Sequence, residues 1–162
     1  MPKKRLKKVL PNHKKIKEQR FLKIFGAFLD KRELWSLSRK KIVGGVLIGV
    51  FVACLPMPLQ MLLSTFLAIY FSVNLPISFA LIFISNPFTM PPLFYFEYKL
   101  GNLILGKTDS VHFNFDSMYD NFDQIALSLW TGAITLGIFS GIVCAIFVNY
   151  FWIISVKKQR RR

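Results

Sequence analysis

Charged side chains are absent from the middle of this sequence, and several uncharged polar side chains there lie near prolines. No Asp, Glu, Lys or Arg occurs in residues 42–96, yet Gln60, Asn74, Asn86 and Thr89 are found there. Amides and hydroxyls of this kind donate and accept hydrogen bonds without carrying a charge. We therefore predict that these four side chains hydrogen-bond a ligand, and that Arg39, just before the stretch, attracts an anionic one.

Residues that could catalyse a reaction form no familiar pattern. His13 lies in a basic arm, His112 lies in an acidic stretch, and both Cys54 and Cys144 are surrounded by apolar residues. The sequence has no paired His/Cys metal spacing, no nucleophile elbow and no glycine-rich phosphate loop. We expect no enzyme activity, no metal and no cofactor.

Composition indicates an integral membrane protein. Hydrophobic residues make up 53% of the chain, 17 residues are Phe, and the mean hydropathy is +0.42, yet the formal net charge is +14. So much apolar surface cannot be buried in the core of a short soluble chain. Lys and Arg are concentrated at the two ends, which indicates that both termini face the cytoplasm. We expect an all-α, multi-pass membrane protein.

Charge and hydropathy divide the chain into five segments. They are a basic cytoplasmic arm (1–41), a membrane domain (42–106), an acidic outer loop (107–123), a transmembrane helix (124–156) and a basic cytoplasmic tail (157–162). Within the arm, residues 21–40 have the pattern of an amphipathic helix lying in the membrane interface. We expect the arm to bind the lipid bilayer through anionic lipids. We do not expect it to bind nucleic acid, because no zinc spacing or recognition fold accompanies it.

Proline clusters interrupt the two long apolar blocks of the membrane domain. As a single helix, block 42–72 would be roughly 46 Å long, whereas a hydrocarbon core is about 30 Å thick, and block 76–106 has the same length. Each proline removes a backbone donor and leaves a carbonyl without its helical partner. These structural breaks are Pro56, Pro58, Pro87, Pro91 and Pro92. We predict that one block is re-entrant and that the other crosses. A three-span protein is the alternative topology, and prolines that only bend long helices are the alternative local structure.

New half-helices are predicted to begin at Pro58 and Pro91, since proline is tolerated in a first helical turn. Ser85, Asn86 and Thr89 are expected to replace the lost backbone partners of the second break. Exposed helix starts inside a membrane favour anions. Glu97, which follows the neutral stretch, is interpreted either as part of an aromatic interface belt or as a proton or ligand site facing a cavity.

Small residues spaced by four form two ladders that allow helices to approach closely. The first includes Gly45 and Gly49, and the second includes Gly137 and Gly141. Packing within one chain is one interpretation, and contact within a homo-oligomer is the other.

These motifs resemble those of a family of small bacterial inner-membrane proteins catalogued as a domain of unknown function. The resemblance covers about residues 33–106 and rests on Pro-x-Pro-x-Gln at 56–60, Asn-Leu-Pro at 74–76 and Asn-Pro-x-Thr-x-Pro-Pro at 86–92. It implies a helical protein of the bacterial inner (cytoplasmic) membrane without an assigned activity. Similar domains occur attached to glycosyltransferases, which associates the family with envelope polysaccharide or lipid-carrier metabolism.

Two functions follow as expectations. The first is binding or movement of an anionic lipid or lipid-linked headgroup in envelope biogenesis, at a site between the two broken blocks. The alternative is a non-catalytic structural or assembly subunit of a membrane complex, for example with an envelope glycosyltransferase, in which the glycine ladders hold the partner.

Overall fold

The computed structural model of the protein describes residues 31–107 and 122–160, and in these ranges it contains helices and no strand. The predicted all-α class is therefore confirmed for this part of the chain. A short 3-10 helix, Arg32–Trp35, precedes the α-helices. These are α1 (Arg39–Ala53), α2 (Gln60–Tyr70), α3 (Leu75–Ile82), α4 (Met90–Leu105) and α5 (Phe122–Arg160).

Helices α1 and α2 form a hairpin that returns to the end at which it began. They contain 15 and 11 residues, which corresponds to lengths of about 22 Å and 16 Å. The turn after α2 lies against the start of α1, where the Asn74 N–H donates to the Lys41 carbonyl at 3.0 Å and the Lys41 ammonium donates to the Ser72 carbonyl. Block 42–72 is therefore broken, as its prolines predict.

Helices α3 and α4 follow one another and run away from that end. Gly45 of α1 lies against the Asn74 backbone, and Gly49 lies against the Ser78 backbone, so α3 runs parallel to α1. A connection of residues 83–89 separates α3 from α4. Block 76–106 is therefore broken as well.

Helix α5 runs antiparallel to both α1 and α4 and contacts them in succession. Gly141 lies beside the Leu47 carbonyl of α1, whereas Gly132 lies beside the Glu97 carbonyl of α4. With 39 residues, α5 is about 58 Å long. Because α1 covers its C-terminal half and α4 its N-terminal half, the two proline-containing connections lie near the middle of α5.

The residues before α1 pack on the helices instead of continuing as one amphipathic helix. Leu34 is fully buried in a cluster with Val52 of α1, Ala68 of α2 and Phe79 of α3. Residues 36–38 lie outside any helix, and α1 begins at residue 39. Burial of Leu34 explains why the periodic pattern of 21–40 does not form a helix over residues 36–38. The part of the predicted interfacial helix in residues 21–30 lies outside the described residues.

Large apolar side chains remain exposed along α5. They include Leu127, Ile134, Ile138, Phe139, Ile142, Ile146, Phe147, Phe151 and Ile154. In the described ranges one helical segment, Ile125–Lys158, is long and apolar enough to cross a membrane, with a mean hydropathy of 2.1 over its best window. Most of the predicted outer loop, residues 108–121, lies outside the described residues.

Candidate functional site

The first proline-containing connection, residues 54–59, is held together by Gln60. The Gln60 side-chain amide donates to the Leu55 carbonyl at 2.7 Å and to the Ala53 carbonyl at 3.4 Å. The Val52 carbonyl, which Pro56 would leave unpaired in a continuous helix, accepts from the Leu55 N–H at 3.1 Å. Gln60 is almost completely buried, at 8% exposed. Its amide nitrogen is therefore committed to closing the end of α1.

Two polar side chains organise the second connection, residues 83–89. Asn86 Oδ1 accepts from the N–H groups of Phe88 and Thr89 at 2.9 and 3.1 Å. Thr89 Oγ1 accepts from the Asn86 N–H at 2.9 Å and donates to the Ile84 carbonyl at 2.6 Å. These bonds replace helical partners, as predicted for this pair. The Ser85 hydroxyl does not take part, since its buried Oγ has no hydrogen-bond partner within residues 31–107 and 122–160.

Both connections line one pocket of about 200 Å³. One wall is the start of α2, from Pro58 to Leu62, and the other is Ile82, Phe83 and Ser85 at the end of α3. The lining is mostly apolar, and its polar groups are Gln60, the unpartnered Ser85 hydroxyl and the backbone at the start of α2. This pocket is where the two broken blocks meet.

Free backbone donors distinguish the start of α2 from the starts of α3 and α4. The first N–H groups of any helix lack an intrahelical acceptor. At α3 the Asn74 side chain accepts from the Ile77 N–H at 3.0 Å. At α4 the Met90 N–H donates to the Asn86 carbonyl, and the next two residues are prolines with no N–H. Helix α2 has no side-chain cap, and its Leu62 and Leu63 N–H groups donate to the Leu59 carbonyl at 3.0 and 3.1 Å. Within the described residues, the α2 donors left without an acceptor are therefore the N–H groups of Gln60 and Met61, two residues that line the pocket.

The five residues predicted to bind a ligand do not come together in one site. Gln60 lines the pocket, and Asn86 and Thr89 lie in the adjoining connection, where their polar atoms bond the backbone. Asn74 and Arg39 lie at the opposite end of the α1–α2 hairpin. The α2 helix between these two ends is about 16 Å long.

Asn74 is a structural residue in this arrangement. It is fully buried, caps α3 through Oδ1, and donates from Nδ2 to the Ser36 carbonyl at 3.0 Å. It thereby joins α3 to the segment before α1. Arg39, by contrast, is an exposed residue at the first position of α1.

The glycines of both ladders face other helices of the same chain. Alanine in place of Gly45 or Gly49 would place Cβ 2.7 or 2.8 Å from the nearest atom of α3 or of its cap residue. The corresponding distance is 3.1 Å for Gly137 and for Gly141, in both cases to α1. These contacts occupy the surfaces that an assembly partner would need.

The closest helix contact was not identified from the sequence. A Cβ at Gly132 would lie 1.7 Å from the Glu97 carbonyl oxygen, and a Cβ at Gly101 would lie 1.7 Å from the Ser128 carbonyl oxygen. Helices α4 and α5 therefore touch backbone to backbone, and the Glu97 side chain at this contact is completely buried. Ser128 and Gly132, two small residues spaced by four on α5, are the sequence signal that could have indicated this crossing.

Comparison with known proteins identifies the family. The model of a family described as an uncharacterized protein conserved in bacteria, DUF2062, matches residues 22–161. Neither the curated proteins nor the solved structures contain a match to the chain. Because the family match includes both proline-containing connections and nearly all of α5, the chain belongs to the DUF2062 family, which confirms its resemblance to a bacterial family of unknown function.

Proposed function

We propose that this chain is a multi-pass protein of the bacterial inner membrane with both termini in the cytoplasm. In this topology α1 and α2 form a re-entrant hairpin, α3 and α4 together cross the membrane, and α5 crosses back. The length of α1, about 22 Å, is less than the roughly 30 Å of a hydrocarbon core, which suits a hairpin that turns inside the membrane. The exposed apolar side chains of α5 would then face lipid.

The distribution of basic residues supports the same topology. Arg39, Lys40 and Lys41 begin α1, and Lys157 and Lys158 lie near the end of α5. Since α1 and α5 are antiparallel, these two groups lie at one end of the helix bundle. Enrichment of Lys and Arg is typical of the cytoplasmic side.

Within this topology we propose that the protein binds an anionic lipid headgroup, of the phosphate class, in the pocket between the two connections. The observation that carries the proposal is the uncapped start of α2 beside the unpartnered Ser85 hydroxyl, in a pocket lined by both connections. Phosphate oxygens accept hydrogen bonds, and a helix start supplies N–H donors together with a favourable dipole. The apolar remainder of the lining suits the adjoining part of a lipid. A headgroup bound in this pocket would lie near the middle of α5, at a depth through which a lipid headgroup passes when it moves between leaflets.

The residues that line the pocket include no cation, so Arg39 would act outside the pocket. Arg39 lies at the basic end of the bundle and would attract anionic lipid at the membrane surface. Asn74, Asn86 and Thr89 are left out of the binding site, because their hydrogen bonds hold the connections and α3 in place.

Lipid binding by the purified protein tests the proposal. Phosphatidic acid and diacylglycerol with identical chains would be compared by native mass spectrometry, since the two probes differ only in the phosphate. We expect Leu59→Asp to weaken binding of phosphatidic acid about tenfold or more, equivalent to about 1.4 kcal/mol. Leu59 is the N-cap of α2 and is 55% exposed, so an aspartate there would cap the free donors and repel an anion without disturbing the core.

The matched control is Leu103→Asp, which introduces the same charge at an exposed leucine near the far end of α4. It is expected to leave binding unchanged, whereas Ser85→Ala should weaken it several-fold. Equal binding of phosphatidic acid and diacylglycerol would show that the protein does not recognise the phosphate group, which would contradict the proposal. Unchanged binding of phosphatidic acid by Leu59→Asp would show that the headgroup does not bind at the start of α2.

A further inference from the structure

The carboxyl group of Glu97 is buried without a partner. Glu97 lies in α4 and is 0% exposed, and among the described residues neither of its side-chain oxygens has a hydrogen-bond partner. The buried side chain lies at the tight crossing of α4 and α5, where the Gly132 backbone packs directly on the Glu97 backbone. The two helices leave no space at this point for Glu97 to reach solvent.

No cation in the described helices is placed to neutralise Glu97. Helix α5 contains no Asp, Glu, Lys, Arg or His in residues 125–156, and α1 contains none after Lys41. Lys99 is the nearest cation along α4, but it is exposed and lies over the Tyr95 ring, 4.8 Å from its centroid. Ion pairing therefore does not account for a buried carboxylate here.

The other titratable groups near Glu97 are weak acids. The Cys54 thiol at the end of α1 is close enough to interact electrostatically with Glu97, and its sulfur lies 3.8 Å from the Ser140 hydroxyl of α5. Tyr98 follows Glu97 on α4 and is buried. None of these side chains supplies the positive charge that an ionised carboxyl would need.

Ser128 of α5 is a second buried polar group without a partner at the same crossing. Its backbone packs on Gly101, one helical turn beyond Glu97, and its hydroxyl oxygen has no hydrogen-bond partner in the part of the chain that the structure describes. Two unpartnered polar side chains thus lie on facing helices within about one turn, or roughly 5 Å along the axis. Buried polar groups in proteins are nearly always hydrogen-bonded, so such a pair requires an explanation.

We propose that Glu97 is a proton-binding site, occupied while α4 and α5 are packed together. An isolated buried carboxylate is far more costly than a neutral carboxylic acid, so the group takes a proton when it cannot find a cation. The step is the addition of one proton from water to the Glu97 carboxylate, and no other bond changes. Release of the proton requires the crossing to open enough for water to solvate the anion. Ionisable residues at membrane depth often have a functional role of this kind.

Infrared spectroscopy can observe the proton directly, because the carbonyl stretch of a carboxylic acid is well separated from the bands of a carboxylate. The chain contains three glutamates, Glu18, Glu33 and Glu97. A variant carrying Glu18→Gln and Glu33→Gln, grown with glutamate labelled by carbon-13 at the side-chain carboxyl, leaves Glu97 as the only labelled acid. This experiment needs no change at Glu97 itself, so its result does not depend on whether a Glu97 variant folds.

We expect the labelled carboxylic acid band to be present at pH 7, where an exposed glutamate is almost fully ionised. The band should disappear reversibly as the pH is raised further, and Glu97→Gln in the same background should lack it. As a matched control, a Glu18→Gln variant retaining Glu33 should add a labelled carboxylate band at pH 7, because the Glu33 side chain is 66% exposed.

Two outcomes would overturn the proposal. A labelled carboxylate band with no acid band at pH 7 would show that the packed protein holds Glu97 ionised. Replacement of the acid band by a carboxylate band when NaCl is added at constant pH would show that the site takes a metal cation in preference to a proton.

Discussion

Replacement of glycine by alanine at the α4–α5 crossing gives the sharpest test of the helix packing. In Gly132→Ala the new Cβ would lie 1.7 Å from the Glu97 carbonyl oxygen, and in Gly101→Ala it would lie 1.7 Å from the Ser128 carbonyl oxygen. Ordinary contacts of a Cβ begin near 3.4 Å. The obstacle is helix backbone in both cases, which cannot rotate away as a side chain can. The two helices must therefore separate by more than an ångström.

The magnitude follows from two opposing contributions. Overpacking of a well-packed interior costs about 1–3 kcal/mol, occasionally more. Alanine in place of glycine favours the helix by about 1 kcal/mol. Because the obstacle is backbone, the upper end of the overpacking range applies, and for Gly132→Ala and Gly101→Ala we expect a net loss of about 2 kcal/mol. For Gly141→Ala the nearest atom, the Leu47 carbonyl oxygen, is 3.1 Å away, so a shift of a few tenths of an ångström suffices and the helix gain offsets the cost.

Unfolding of the purified protein by sodium dodecyl sulfate, followed by circular dichroism, measures these differences. All three variants replace glycine by alanine within a helix, so the contribution of helix propensity is the same in each. The variants differ in the distance from the new Cβ to the facing helix. We expect Gly141→Ala to be as stable as the wild-type protein. We expect Gly101→Ala and Gly132→Ala to be much less stable than both. If the two crossing variants were as stable as wild type, or if Gly141→Ala were the least stable, the backbone contact between α4 and α5 would be refuted.

Two further predictions concern the α3 cap and the topology. Asn74→Ala should destabilise the protein by roughly 2–3 kcal/mol, because it removes a helix cap and leaves the Ser36 carbonyl without its donor, and Asn74→Ser, which keeps a neutral capping oxygen, should recover part of the cap contribution in the same detergent titration. Equal loss in both variants would argue against the cap. In a variant whose two native cysteines are replaced by serine, Ser38→Cys and Lys157→Cys should react with a membrane-impermeant thiol reagent only from the cytoplasmic side, and Leu105→Cys only from the opposite side. Labelling of Ser38→Cys and Lys157→Cys from different sides would contradict the proposed topology.

The positions of the chain breaks could be predicted from the sequence, because proline acts locally. Each proline in a helix interior removes one hydrogen bond, and its ring clashes with the carbonyl four residues earlier, so a cluster of prolines favours a break at that point. The helices after the breaks were predicted to start at Pro58 and Pro91, and they start at Gln60 and Met90. Helix α2 starts two residues later than predicted, at Gln60, whose side chain donates to the Leu55 carbonyl just after α1. Helix α4 starts one residue earlier than predicted, at Met90, whose N–H donates to the Asn86 carbonyl.

The roles of the polar residues could not be predicted in the same way. An asparagine before a proline is equally suited to bind a ligand and to cap a helix. The position of Asn74 against Ser36, 38 residues earlier in the chain, determines that it is used by the fold. Gly101 and Gly132 were missed for a related reason, since Gly101 has no small residue four positions away and Gly132 has only Ser128, which is too short a pattern to form a ladder. Their importance arises from the register of α4 on α5, which depends on contacts between distant segments.

The polar, proline-rich segment between α3 and α4 has few backbone donors, and each of them has an acceptor. Pro87, Pro91 and Pro92 have no N–H, and the N–H groups of Ile84, Ser85, Asn86, Phe88, Thr89 and Met90 all donate to an acceptor within the segment or the end of α3. A connection without free donors can lie at membrane depth, where an unsatisfied backbone group costs several kcal/mol.

The prolines therefore reduce the number of donors that the connection must satisfy, while Asn86 and Thr89 accept from those that remain. The start of α2 lacks this arrangement, since its two prolines precede the helix and no side chain caps it. The Leu62 and Leu63 N–H groups donate to the Leu59 carbonyl, but among the described residues the Gln60 and Met61 N–H groups have no acceptor, and both residues line the pocket with Ser85. If the connections lie within the membrane, those donors require an acceptor that the described protein does not provide, and a lipid phosphate oxygen would be such an acceptor.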